Sequence, residues 1–265
     1  MLGYSVRSIV LAAVVALVVG AVPAQGATAP RDAAGRATPQ LTIARTTTGT
    51  VVTGTKVSFT GTAPAALEGR RVALQRRVGA KGDWVKVAGA TVTSHSMSAT
   101  GVATGVGKNS WRFVAKLNGT TYTSKVLSHQ VYGWFFLADL DAVDSDGGYA
   151  DSWVIGGKTY GKSVGGNGSS STDWIEYNLS YRCISLDAYI GIGDDSETGT
   201  TADFYVTLDG ARESVGSQGL GPASHLVIDT STRLRVRLEM DPTNADAPDG
   251  SWAFGNARVL CSGRP

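Results

Sequence analysis

The chain is 265 residues long and carries 24 Lys and Arg against 22 Asp and Glu, a formal net charge of +2. That near-neutral total conceals two oppositely charged parts: residues 37–131 hold twelve Lys and Arg against Glu68 and Asp83, whereas residues 132–265 hold nine against nineteen Asp and Glu. Two cysteines without a CxxC spacing, and three histidines (His95, His129 and His225) well apart in sequence, exclude a dithiol redox centre and a His/Cys metal site of ordinary spacing.

Residues 1–27 carry Arg7, an apolar run over 9–22, and then Pro-Ala-Gln-Gly-Ala, with small residues at the spacing a signal peptidase accepts. The run is shorter than the ~20 apolar residues of a spanning helix, which predicts a signal peptide and a secreted, extracellular or wall-associated product. No second apolar stretch reaches spanning length, so no integral membrane segment is expected after cleavage. Residues 28–37, rich in Ala, Thr, Pro and Gly without periodicity, read as a flexible linker.

The rest suits two domains of about 100 residues each. Over 38–131, LTIAR, TKVSFTGTA, RRVALQRRV, DWVKVAGATVT, SMSATGVAT, SWRFVAKLN and TYTSKVLSHQV are seven short alternating runs between Gly, Asn or Ala-Pro turns. That spacing predicts a β-sandwich. The run GTKVSFTG, the run GRRVALQR followed by Trp84, and Trp111-Arg112-Phe113 resemble the immunoglobulin-like modules of secreted bacterial proteins. Trp84 and Trp111 read as core or edge packing. Arg70, Arg71, Arg76, Arg77, Lys81, Lys86 and Arg112 make this module basic, and a basic surface concentrates polyanions such as wall polymers, acidic polysaccharide or anionic headgroups. Two other readings stay open: a solvated face that maintains solubility, and a complement to the acidic neighbour. No aromatic-basic stacking groove is apparent, and no nucleic-acid partner is expected.

Over 132–265 the same alternation recurs. Ile184, Leu186, Ala188, Ile190 and Ile192 share one face of CISLDAYIGI, Phe204, Val206 and Leu208 one face of DFYVTLDG, and Leu234, Val236, Leu238 and Met240 one face of RLRVRLEMD. The loop GDDSETGTT displays Asp194, Asp195 and Glu197 between two of these strands. In order along the chain, FFLADLDAV, GGKTYGKSVG, IGIGDDSETG, DFYVTLDGA, RLRVRLEMD and WAFGNARVL resemble the segments of the NPCBM family, carbohydrate-binding modules found beside extracellular glycosidases and related to carbohydrate-binding module family 51. The resemblance implies a jelly roll similar to galactose-binding domains. Where the family often carries His, this chain has Asn167, and where it often carries Asp-Trp before the last strand, this chain has Ala253-Phe254.

Cys183 opens one strand and Cys261 closes the last. Two thiols in an exported chain are expected to pair, which would clamp the C-terminus to the body. Three acidic loops, over 139–151, 193–201 and 241–252, combine Asp, Asn and Gly as calcium requires. Asp144, Asp146, Asp241 and Asp246 are the candidate ligands of a structural Ca2+, although Ala142 and Trp153 occupy the positions where an EF-hand needs its first and last acids. Otherwise these acids are turn formers and solvated charge. A sugar site needs an aromatic face for the ring and polar groups for its hydroxyls. Trp174, Trp252 and Phe254 are the candidate faces, and Asn167, Asp194 and Asp195 the candidate polar partners.

A GxSxG elbow, a phosphate loop and HExxH are all absent. The pair of carboxylates a glycosidase needs has no cleft-forming third element here, so no enzyme is expected. The sequence therefore predicts an all-β protein of two sandwich domains, an immunoglobulin-like one over 38–131 and a galactose-binding-like jelly roll over 132–265. Its predicted work is the non-catalytic recognition of an extracellular or cell-wall glycan by the second module. The alternative is a surface attachment factor whose basic module binds an anionic wall polymer or a protein partner.

Overall fold

The computed structural model describes residues 40–167, 172–244 and 250–265; the expected signal peptide and linker lie outside the described residues. Nine strands make the first half: β1 (Ala44–Arg45), β2 (Val51–Val52), β3 (Lys56–Thr62), β4 (Arg71–Val78), β5 (Val85–Thr91), β6 (Ser96–Val102), β7 (Gly107–Leu117), β8 (Thr120–Thr123) and β9 (Leu127–Phe136). The last of the seven alternating runs divides into β8 and β9. Ser124 takes the chain out of the ladder there, its hydroxyl accepting from the Phe113 N–H and donating to the Lys125 carbonyl. Strands β1, β3 and β6 form one layer, and β5, β4, β7 and β9 the other, with β8 on β7 and β2 parallel to β9. Alternation buries Val57 and Phe59 from the first layer against Val72, Leu74, Trp111 and Phe113 from the second. The Phe59 and Trp111 rings meet with centroids 4.7 Å apart.

Ten strands make the second half: β10 (Asp144–Asp146), β11 (Gly148–Ile155), β12 (Lys158–Gly166), β13 (Asp173–Asn178), β14 (Cys183–Ile192), β15 (Thr201–Leu208), β16 (Ala211–Gly219), β17 (Ser224–Asp229), β18 (Arg235–Pro242) and β19 (Trp252–Cys261). One layer runs β10-β13-β18-β15-β16, and the other joins β11, β12, β19, β14 and β17. The predicted inward residues of β14, β15 and β18 form its core together with Trp252 and Phe254. Two predicted residues fall outside it: Leu234 precedes β18 and is half-buried, and Ile184 is displaced because the β14–β19 register shifts between Cys183 and Ser185. Such a bulge reverses the parity of the strand, so Cys183 and Leu186 both point inward and Ile184 is left half-buried. Among the described residues there is no α-helix, only 3-10 turns at Ala65–Leu67 and Leu137–Asp139, and none is long and apolar enough to cross a membrane. The second of these turns interrupts FFLADLDAV after Phe136.

The halves share a strand. Residues 127–131 of β9 pair with β7, and Gly133 to Phe136 of the same strand pair with Cys261 to Arg258 of β19. The passage from one core to the other, with Val131 in the first and Leu137 in the second, therefore runs along one continuous strand. Strand β19 has β14 on one edge, and β12 and β9 in succession on the other.

Cys183 and Cys261 stand directly opposite in the β14–β19 ladder and are bonded, with S–S 1.98 Å and Cα–Cα 3.9 Å. The bond closes a loop of sequence separation 78, for which chain entropy predicts about 4 kcal/mol of stabilisation. A Cys183→Ser/Cys261→Ser variant is expected to lose roughly 2–4 kcal/mol in urea unfolding, and a thiol assay on denatured, unreduced wild-type chain should find no reactive group. Two free thiols would contradict the pairing.

Candidate functional site

The site is built around a buried carboxylate. Asp173 opens β13 on its inward face and is 6% exposed. A buried charge needs a donor, and the indole N–H of Trp252 supplies one to Asp173 Oδ2 at 3.0 Å. Two glycines let backbone close over it. A Cβ on Gly147, which lies at φ +70°, would come within 2.2 Å of Asp173 Oδ1, and one on Gly166 within 2.8 Å of Oδ2. The carboxyl of Asp173 is held above the ordinary carboxylate range, first by burial and then by nearby Asp146, with the Trp252 hydrogen bond opposing both.

Gly147 leads into β11 and Gly166 ends β12, so the residues just beyond them, Tyr149 and Asn167, stand over this pair. Together with Asp151, Trp153 and Asp195 they line a cleft of about 340 Å³. A neighbouring recess of about 190 Å³ shares Asn167 and Asp195 and adds Gly250 and Ser251. The β11–β12 register slips where Asp151 and Trp153 face Ser163 and Tyr160, and the extra residue of this bulge lies on β12. Trp153 turns in to 6% exposure, while Tyr149 stays 40% exposed, with the two ring centroids 5.4 Å apart. Burial pushes the Tyr149 hydroxyl above its ordinary value, and Asp151 and Asp195 push the same way against a hydrogen bond from Asn167. Asp195 is fixed by the Ser251 hydroxyl, which donates to its Oδ1. The cleft thus offers one accessible aromatic ring beside an amide, two carboxylates and a hydroxyl. A larger depression of about 670 Å³ on β1, β3 and β6 is lined chiefly by Thr and Ser hydroxyls and has neither a ring nor a charge.

Of the residues singled out from sequence, Asn167 and Asp195 come together here. Asp194 is adjacent but serves the fold, its two oxygens accepting from the N–H groups of Gly156 at 2.6 Å and Gly157 at 2.7 Å in the β11–β12 turn. Trp252 and Phe254 must be corrected. Both are 0% exposed and pack edge-to-face with Phe204, so neither presents a face to a sugar. Trp174 lies on the outer face of its sheet beneath the Arg237 guanidinium, 3.9 Å from the ring centroid, and does not line the cleft. Tyr149, Asp151, Trp153 and Ser251 were missed. The signal for Tyr149 was the Gly147-Gly148 pair before it, which marks a close backbone approach.

The three candidate calcium ligands among the described residues divide between β10 and β18. Asp144 and Asp146 are exposed on β10, with Asp144 accepting from the Ser145 N–H, and Asp241 takes an Arg212 guanidinium N–H at 2.6 Å. Asp246 lies outside the described residues. Among the described residues no three His, Cys, Asp or Glu side chains gather to hold a metal.

A sandwich with an aromatic and polar cleft at its loop end has the form of a ligand-binding module. The NPCBM/NEW2 domain family matches residues 120–259, from β8 to β19 and more than half of the chain, and the chain belongs to that family. No match is found among curated proteins.

Two outcomes test the buried pair. Trp252→Ala should cost roughly 3–5 kcal/mol of stability, as large aromatic truncations in cores do, and a variant that melts like wild type would return Trp252 to the surface. Because the folded state holds the Asp173 proton more tightly than the unfolded chain, this residue's contribution to stability falls as pH rises from the ordinary carboxylate value through its raised one, and stays low above it. Asp173→Asn keeps an acceptor for the indole and removes that dependence. The stability difference, variant minus wild type, should therefore grow as pH rises from the ordinary carboxylate range; a flat difference would place Asp173 in water.

Proposed function

We propose that this protein is an exported, non-catalytic glycan-binding protein and that the cleft between β11, β12 and the loop before β15 is its sugar site. The observation that carries this reading is the exposed Tyr149 ring standing beside Asn167 and Asp195 in a chain of the NPCBM/NEW2 family, which consists of carbohydrate-binding modules. An aromatic face takes the C–H side of a pyranose, and an amide with carboxylates donates to and accepts from its hydroxyls. Asn167 can do both, and Asp195, oriented by Ser251, accepts. Trp153 supports the Tyr149 ring from below. Export is supported by the charged and apolar N-terminal run with its small-residue end and by the Cys183–Cys261 bond, which persists in oxidising surroundings. Binding without bond cleavage is supported by the family and by the engagement of Asp194 with backbone.

The test is a glycan array probed with the full exported chain, followed by titration of the best ligand. Tyr149→Ala and Asn167→Ala should each weaken binding about 10- to 30-fold, as loss of a central contact does, with the melting temperature held. An array without signal, or variants that bind like wild type, would refute the assignment.

A further inference from the structure

The outer face of the first half's larger sheet carries a line of cations. Along β4, Arg71, Ala73, Gln75 and Arg77 alternate outward, and across the ladder Gln75 pairs with Arg112 of β7 and Lys86 of β5, and Ala73 with Val114 and Gly89. Small side chains at Ala73, Gly89 and Val114 leave a groove of about 450 Å³ between the raised cations Arg71, Lys86 and Lys116. Beyond Gln75 the cationic line continues. The guanidiniums of Arg112 and Arg77 lie 4.1 and 4.9 Å from the centroid of the Trp84 ring, and Arg112 Nε donates to Gln75 Oε1 at 2.9 Å. From Arg71 to Arg77 the strand covers about 20 Å at its usual rise, the length of several sugar units.

None of these five cations has a carboxylate partner among the described residues. Glu68 accepts from the Ser94 and His95 N–H groups, and Asp83 forms no ion pair there. The second half shows the opposite pattern on its own sheet faces: Arg212 meets Glu239 and Asp241, Arg235 and Arg237 meet Glu176, and Arg258 meets Asp187. A face kept merely soluble mixes its signs. Here cations repel one another without relief, and Arg112 is held below its ordinary value by burial and then by Arg77. Stacking on Trp84 and the bond to Gln75 hold two guanidiniums in place before any ligand arrives, which lowers the entropy lost on binding.

We propose that this face is a binding groove for an acidic polysaccharide, a strand whose carboxylate or sulfate groups bridge Arg71, Lys86 and Lys116 at one end and Arg77 and Arg112 at the other. A nucleic acid fits less well, because single strands bind by stacking bases on aromatic rings, and the Trp84 ring is already engaged by two guanidiniums. The groove is separate from the Tyr149 cleft and stands whether or not that cleft binds sugar.

The experiment titrates the full exported chain with polygalacturonate, which is carboxylated, heparin, which is sulfated, and single-stranded DNA over a range of salt. Binding to either polysaccharide that weakens as salt rises is expected, and the tighter of the two arms identifies the anionic group. Arg77→Ala/Arg112→Ala and Arg71→Ala/Lys116→Ala should each weaken it at least about tenfold and lower the salt slope by about two. Lys56→Ala, on the opposite layer, should leave it unchanged. Should the arginine pair fail to fold, Lys86→Glu at an exposed position should give a loss of the same kind. The proposal is overturned by no polysaccharide binding at low salt, by equal losses from Lys56→Ala and the groove variants, or by DNA binding more tightly than both polysaccharides.

Discussion

The hydrogen bond from the Trp252 indole to the buried Asp173 carboxylate organises the acidic half of this protein. A carboxylate in a core is tolerable only when something donates to it, and the donor belongs to the last strand, far from Asp173 in sequence. Meeting it requires β13 and β19 to lie in facing layers at one height, which sets the separation of the two sheets at the loop end. It also requires backbone without side chains on either flank, which Gly147 and Gly166 provide. The residues following those glycines then have nowhere to stand but the rim, so Tyr149 and Asn167 become the walls of the cleft.

Strand β19 carries this order outward. One edge is filled by β14 and the other by β12 and then β9, so the ten residues of β19 hydrogen-bond three strands and cross from the cleft to the first half. The Cys183–Cys261 bond secures the far end of the same ladder. Because β9 begins in one core and ends beside the other, the two halves are joined by main-chain hydrogen bonds rather than by a flexible linker.

Charge is organised on the same sheets in two ways. In the acidic half Arg212, Arg235, Arg237 and Arg258 are spent within the fold against carboxylates, three of them over rings as well, Arg237 on Trp174, Arg212 on Tyr205 and Arg258 on Trp134. In the basic half Arg77 and Arg112 share Trp84, Arg112 also donates to a glutamine amide, and neither has a carboxylate partner among the described residues.

Period-two alternation already identified β14, β15 and β18 and most of their core, because side chains on a strand have only two directions to take. The split of charge between the halves and the pairing of Cys183 with Cys261 were equally legible, since both depend on composition and on strand ends. What alternation leaves open is which of two faces meets a second layer when aromatic residues occupy both. Trp174 and Trp252 look alike along the chain, yet one lies on an outer face under Arg237 and the other is sealed in the core by Asp173. The bulge at Ile184, which reverses local parity, arises from pairing with β19, a strand distant in sequence. Only the assembled sheets therefore decide that Tyr149, and not Trp252, offers its ring to solvent, because burial is a property of the partner layer and not of the strand.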